Sequence, residues 1–258
     1  MKHQLALIFA AMLFCNLCLA TTVTVEIEGL KKELKENAYL FLSIEQQKNH
    51  PLLTPARIRR LHEKAPQQIE EALKPFGYYK PKIQTKLKEE KTDQWRAVYT
   101  VDAGKPLLIA KFDFSIIGEA KNDRRFKTLL ATPTVAVGKP LDHIAYESLK
   151  TSLSNLSAEL GYFDAKFLKH EIRINLEQYH ALVRLEFDSG PRYHFGEVSL
   201  LQSVIEPEFM NRFIPFQEGD HYSVNSLLSL QQSLIDSDYF SIVEVEPNVE
   251  AHLQSRTP

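Results

Sequence analysis

The residues able to do covalent or metal chemistry are few and poorly spaced for it. Nine histidines occur, and two stand directly before a glutamate, as His62-Glu63 and His170-Glu171. A zinc-binding helix needs a second histidine one turn later, and neither pair has one. His170 also falls in a segment that reads as a strand. Both cysteines, Cys15 and Cys18, lie in the first twenty residues, so the remainder has no thiol for nucleophilic or redox work. The nine glycines form neither a GxGxxG fingerprint nor a phosphate loop, and there is no GxSxG elbow. Asp102 and Asp188 recur before Gly104 and Gly190, but an active site draws different residues into one cleft rather than one copy per repeat. Aspartate near glycine at a strand end is a turn former. These observations point to a protein that works by binding, with no catalytic residue, no metal and no cofactor.

The clearest candidate for binding is a lysine-dotted strand. From Lys80 to Glu89, Ile83, Thr85 and Leu87 fall on one face, and Lys82, Gln84, Lys86 and Lys88 on the other. Lysine on a solvent face guards an open sheet edge against aggregation. The same edge can accept an extended peptide through backbone pairing, with little demand on the partner's sequence. Both readings stand on the residues alone, and Lys80, Lys82, Gln84, Lys86 and Lys88 are the candidate partner-binding residues.

A glycine-aromatic signature raises a second question. Gly77-Tyr78-Tyr79 and Gly161-Tyr162-Phe163 are 84 residues apart, and Asp238-Tyr239-Phe240 follows 77 residues later. Paired rings can form a ligand platform, or they can mark where a repeated unit passes from helix to strand. The repeat reading is favoured, because Asp102 and Asp188 recur with nearly the same period, 86 residues. Each signature also follows a helical apolar stripe. The stripes are Ile58, Leu61, Ala65, Ile69, Ala72 and Phe76, then Leu149, Leu153, Leu156 and Leu160, then Leu227, Leu230 and Leu234. A helix commonly ends on a left-handed residue, usually glycine, and aspartate tolerates that conformation. At Gly161 a β-branched residue should therefore be strained and asparagine mild.

Between these markers the elements repeat. TVTVEIEGL, LIAKFDFSIIG and HFGEVSLL read as first strands. Short helices follow near Leu34–Ile44, Asp123–Leu130 and Glu208–Phe213, then the longer striped helices. After each aromatic pair comes a hairpin. In the second unit Leu168, Ile172, Ile174 and Leu176 alternate with polar residues, the turn lies near Gln178–His180, and Val183, Leu185 and Phe187 point inward. Pro66 and Pro75 should kink or split the long helix of the first unit. The fold class is α+β, with three tandem β-α-α-β-β units, each a three-stranded sheet covered by two helices. The third unit has no second alternating run after Phe240 and is expected to lack its last strand. The units span 21–104, 105–190 and 191–258.

Residues 1–20 read as a secretory signal peptide, with Lys2, an apolar run from Leu5 to Cys15, and small residues to Ala20. The run is short of the about 20 apolar residues of a spanning helix. Neither cysteine follows a small residue, which argues against a lipid anchor. The mature chain carries 30 basic against 33 acidic residues, and with an overall pI near 6.5 it has no basic footprint for nucleic acid. Exported without disulfides, it must rely on hydrophobic cores.

Several stretches resemble a known family: VEIEGL, ALKPFGYYKPKI, SLSNLSAELGYFDAKF, FDSGPRYHFGEVSL and FIPFQEGDHYS. They are similar to POTRA domains, the polypeptide-transport-associated modules of the Omp85 superfamily, and most of all to the TamA family of outer-membrane translocation and assembly subunits. The resemblance implies three periplasmic units ahead of an outer-membrane β-barrel, which is missing from a chain that stops at Pro258. It implies help with insertion or export of autotransporter-type β-barrel clients, with a TamB-like inner-membrane-anchored partner, no small-molecule ligand and no reaction. The alternatives are a stand-alone periplasmic scaffold or chaperone, and the POTRA region of another Omp85 relative such as BamA, which would carry two further units upstream.

The leader makes a direct expectation. Protein secreted to a bacterial periplasm should show an intact mass beginning at Thr21, within a residue or two. A product that retains Lys2, or one with lipid on Cys18, would contradict the reading.

Overall fold

A computed structural model describes residues 21–131, 133–202 and 205–248; the proposed leader lies outside them. The chain forms two compact units, up to Leu107 and from Leu108 onward.

The first unit is built around strand β3. β1 (Thr22–Glu28), β2 (Lys82–Lys91) and β3 (Gln94–Asp102) form a sheet in the order β1-β3-β2. β3 pairs parallel with β1 and antiparallel with β2, so the last strand in sequence sits in the centre. Its alternate residues Trp95, Ala97, Tyr99 and Val101 are buried beneath the helices. Helices α1 (Lys32–Phe41), α2 (Ser43–Gln46) and α3 (Pro55–Leu73) supply the other half of this core, including Ile58, Leu61, Ala65, Ile69 and Ala72 of the predicted stripe. Thr54 caps α3 by accepting from Arg57 N–H, and Pro55 fills the first turn where no N–H is needed.

Pro66 does not split α3, which runs unbroken through it, and Pro75 falls in a one-turn 3-10 helix, Lys74–Phe76, after α3 has ended. The stripe residues Ala65 and Ile69 on either side of Pro66 are both fully buried. Packing on β3 therefore outweighs the about 3 kcal/mol cost of an interior proline.

One polar contact ties α3 to the central strand. His62 Nδ1 and the Tyr99 hydroxyl are 2.8 Å apart, with ring centroids at 5.2 Å. Burial pushes the Tyr99 pKa upward and lowers that of His62, an effect that Glu63 partly offsets.

The second unit repeats the design. β4 (Leu108–Ile117), β5 (Lys166–Asn175) and β6 (His180–Asp188) form a sheet in the order β4-β6-β5, with β6 central. Ala181, Val183, Leu185 and Phe187 of β6 are buried. Helices α4 (Arg124–Leu130) and α5 (His143–Leu160) start from aspartate caps. Asp123 accepts from Arg125 N–H, and Asp142 from Ile144 and Ala145 N–H. Leu168 and Leu176, expected on the inner face of the hairpin, are instead exposed. The register shifts between Phe167 and Lys169, so Leu168 occupies a bulge and turns outward. Leu176 lies past the end of β5, in the turn.

The third segment has helices but, among the described residues, no strand. α6 (Pro207–Met210) runs into a 3-10 turn and α7 (Val224–Asp236) follows. The first strand expected over HFGEVSLL does not form a ladder. In both complete sheets the first strand bonds to the central one, and the described part of this segment has no counterpart of β3 or β6.

The signature residues end their helices in left-handed conformation. Gly77 lies at φ 83°, Gly161 at φ 82° and Asp238 at φ 59°. The mildness expected of asparagine at Gly161 is corrected. A Cβ there would lie 2.7 Å from the Tyr222 Cβ, so any side chain meets a wall as well as backbone strain. Gly138, at φ 82°, has open space where its Cβ would be.

Two outcomes follow from this packing. Gly138→Ala should cost about 1 kcal/mol from backbone strain alone, and Gly161→Ala about 2–4 kcal/mol because overpacking adds to it. In urea melts, a Tyr222→Ala background should relieve at least about 1 kcal/mol of the Gly161 penalty, and full additivity would contradict the contact. His62 gives a pH dependence. Its folded pKa is lowered, so below its ordinary 6.5 the unfolded chain takes up a proton that the folded chain refuses. Stability of the first unit should fall with pH from there toward the folded pKa. Thermal melts of His62→Gln between pH 7 and 5 should have a shallower slope than wild type; an unchanged slope would show that His62 does not titrate as argued.

Candidate partner-binding edge

β2 is an edge strand, since it bonds only to β3 within its sheet. In an antiparallel pair, successive residues aim their backbone groups alternately toward the partner and away from it. Half of the peptide groups of β2 therefore face outward. The strand is ten residues long, enough to template another of ordinary length. Its irregular end lies at the register shift between Glu89 and Lys91, beside the turn at Asp93 (φ 60°).

The two faces of β2 differ sharply. Ile83 and Leu87 are half-buried and pack against the core, whereas Thr85 is exposed. On the opposite face Lys82 stands across from Asp102, Gln84 from Thr100, Lys86 from Val98 and Lys88 from Arg96. All four of these β2 residues are exposed, and Lys80 precedes the strand. Among the described residues Lys82, Lys86 and Lys88 form no ion pair. Arg96 is held by Glu26 (3.5 Å) and Glu90 (3.0 Å), which leaves the lysines of β2 as the uncompensated charge. The far strand of the sheet carries Glu26 and Glu28 on this face, so positive charge gathers at the β2 edge.

The equivalent edge, β5, is different. Lys169 pairs with Glu186 at 3.1 Å and Arg173 with Glu171 at 2.9 Å. Two of its three lysine and arginine side chains are thus paired, while Lys166 at its start has no ion pair among the described residues.

The signature residues do not share one site. Tyr78 is half-buried on the first core, and Tyr79 adjoins it in the turn that leads to β2. Tyr162 is buried and meets the Phe126 ring edge-on at 5.7 Å. Phe163 turns the other way, onto Tyr193 (5.3 Å) and Tyr222 (4.8 Å). Tyr239 is exposed beside Phe209, and Phe240 packs near Met210, Leu230 and Leu234. No pair forms a ligand platform with another.

A joint around Arg192 was not singled out from sequence. Arg192 Nε donates to Leu160 O (2.9 Å), its Nη2 to Tyr222 O (3.3 Å), and its backbone N–H to Glu119 (2.9 Å). The guanidinium lies 5.9 Å from the Tyr162 ring centre. A recurring loop was also legible but missed. Ile109 N–H donates to Lys139 O and Gly138 N–H to Ile109 O; Phe195 N–H donates to Asp220 O and Gly219 N–H to Phe195 O. The signal was a third repeated glycine, Gly138 and Gly219.

The recurring aspartates are turn formers. Asp102 Oδ1 accepts from Gly104 N–H at 3.0 Å, and Asp188 Oδ1 from Gly190 N–H at 2.9 Å. Among the described residues, no group of three or more histidine, cysteine, aspartate or glutamate side chains is gathered to hold a metal ion. No helix among them is long and apolar enough to cross a membrane.

Comparison with known proteins adds a family match over the first unit. Residues 24–103 match the family described as "POTRA domain TamA domain 1". Similar solved structures include POTRA domains 3–5 of BamA from Haemophilus influenzae, at 16% identity and TM-score 0.41, covering 87% of this chain and 88% of that one. POTRA domains 1–3 of Omp85 from Anabaena are 14% identical, with TM-score 0.29, covering 90% and 97%. The N-terminal domain of Omp85 from Thermosynechococcus elongatus is 15% identical, with TM-score 0.30, covering 87% and 88%. The match over residues 24–103 covers the first unit, which is similar to a TamA-type POTRA domain.

Proposed function

We propose that this chain is the periplasmic docking and chaperone region of an outer-membrane protein assembly factor. The observation that carries the reading is the TamA-type POTRA unit with an open, uncompensated cationic strand at its sheet edge. An extended segment of a partner adds to β2 by backbone pairing, and acidic residues of that segment meet Lys82, Lys86 and Lys88. The partner is a TamB-like protein anchored in the inner membrane, and the clients are autotransporter-type β-barrel proteins. The chain is read as three units, 21–104, 105–190 and 191–258, behind a leader, working in the periplasm next to the outer membrane. No bond is made or broken; the protein's part is to hold a strand extended and in register.

Strand addition through backbone groups needs outward N–H donors, which side-chain changes leave in place. Proline at Gln84 and at Thr85 separates the two sides of β2, because one of these positions serves β3 and the other the open edge. The proline that keeps the fold, judged by its thermal melt, should weaken binding of the TamB-like partner at least tenfold. Lys86→Glu should chiefly flatten the salt dependence of binding. If the folded proline variant binds as well as wild type in calorimetry, β2 is not the docking edge.

A further inference from the structure

One backbone bridge occurs in both the second and the third unit, with different side chains on it. In the second unit Leu108 stands opposite Pro140, and in the third His194 stands opposite His221, both antiparallel. The backbone bonds around them match. Ile109 N–H donates to Lys139 O as Phe195 N–H donates to Asp220 O, and Gly138 and Gly219 return a bond to Ile109 O and Phe195 O. Leucine and proline fill this place in one unit, so the bridge itself does not call for histidine. Something other than the fold accounts for two histidines facing each other in the other unit.

Their geometry suits a chelate. Phe195 N–H donates to Asp220 O (2.8 Å) and Tyr222 N–H to Tyr193 O (3.0 Å), which makes His194 and His221 a non-hydrogen-bonded pair. Side chains of such a pair leave the same face and approach most closely. The two ring centres are 4.6 Å apart, and both residues are exposed. Two imidazoles bound to one ion at about a right angle have ring centres about 4.5–5 Å apart, given metal–nitrogen bonds of about 2.0–2.1 Å. Nearby charges offset one another. Arg125 is paired with Asp123 at 2.7 Å, and Arg192 is turned to the carbonyls of Leu160 and Tyr222. Burial lowers the His221 pKa, Arg192 and His194 add to this and Glu119 opposes it, which favours the neutral imidazole that binds metal.

We propose that His194 and His221 chelate a late first-row divalent metal ion, and that the ion clamps the joint between the second and third units. Water completes the coordination, since no third histidine, cysteine, aspartate or glutamate joins the pair among the described residues. Imidazole selects copper, nickel and zinc over magnesium, and copper(II) binds tightest of these. Spacing rules for metal motifs miss the pair, because its members are 27 residues apart and meet only across the bridge. The clamp follows from position. His194 lies shortly after the end of β6, and His221 shortly before the start of α7, beside the Tyr222 that packs on Gly161. An ion held from both sides stabilises the closed joint, because opening the joint separates its two ligands. This inference is independent of the docking role of β2.

Untagged protein secreted to the periplasm tests this by calorimetric titration with copper(II), nickel(II), zinc(II) and magnesium(II) chloride. One tight equivalent of each transition ion should bind, copper(II) tightest, with no binding of magnesium(II). His194→Asn and His221→Asn should each weaken copper(II) binding at least tenfold, while His170→Asn, on β5, should leave it unchanged. Metal-free thermal melts of these variants should match wild type, as the leucine and proline of the equivalent bridge imply. In wild type, copper(II) should also slow amide exchange at least tenfold in 193–195 and 219–222, a readout that needs no variant. Tight binding that survives both asparagine variants, or that is lost with only one of them, would overturn the chelate. Binding of magnesium(II) as tight as that of copper(II) would overturn the assigned metal class. Binding through both histidines without slowed exchange would overturn the clamp.

Discussion

Everything in the two complete sheets depends on a strand that arrives last and sits in the middle. β3 and β6 each supply a parallel ladder to the first strand and an antiparallel ladder to the second. They also present four buried side chains to the helices, and Tyr99 and Phe187 are among the largest fully buried groups in the protein. Burial of such a side chain contributes about 1.5–3 kcal/mol, so one short strand carries much of the stability of a small domain. The third segment shows the same dependence from the other side. Its helices gather a small cluster of Met210, Leu230 and Leu234, but its strand-like stretches form no ladder among the described residues.

A central last strand also fixes what stays open. With β3 in the middle, β1 and β2 are both edges, and the protein treats its edges differently. β5 compensates Lys169 and Arg173 with local glutamates, whereas β2 leaves Lys82, Lys86 and Lys88 without an ion pair among the described residues. Exposed lysine on an edge opposes self-association through like charge. It does not oppose a partner strand that carries acidic residues, so under the proposed function one arrangement would serve solubility and docking together.

Much of the fold was legible because it repeats. Gly77 and Gly161 were readable as helix ends, since a glycine directly after an apolar stripe supplies the left-handed residue on which a helix stops; both lie at φ near 80°. The aspartates of the DxG turns were readable for the same reason. What could not be read was set by contacts distant in sequence. The bulge that turns Leu168 outward follows from the register with β6. The persistence of α3 through Pro66 follows from packing on β3, which local propensity does not contain. The wall that Tyr222 builds against Gly161 spans 61 residues, and the Arg192 joint depends on carbonyls of two separate elements. At the candidate edge, the alternation of lysine with apolar residues was visible in sequence. That β2 is an edge while β3 is central is a property of the sheet order, which strand patterning alone does not contain.

The most direct measurement is site-specific photo-cross-linking in the periplasm of living cells. A benzophenone amino acid would replace Lys86 on the open face of β2, and in a separate strain Arg173 on β5. The account predicts adducts to the proposed inner-membrane-anchored partner from position 86, with little or none from position 173. Equal adducts from both strands, or a partner captured only from β5, would contradict the claim that the open edge of the first unit is where this protein docks.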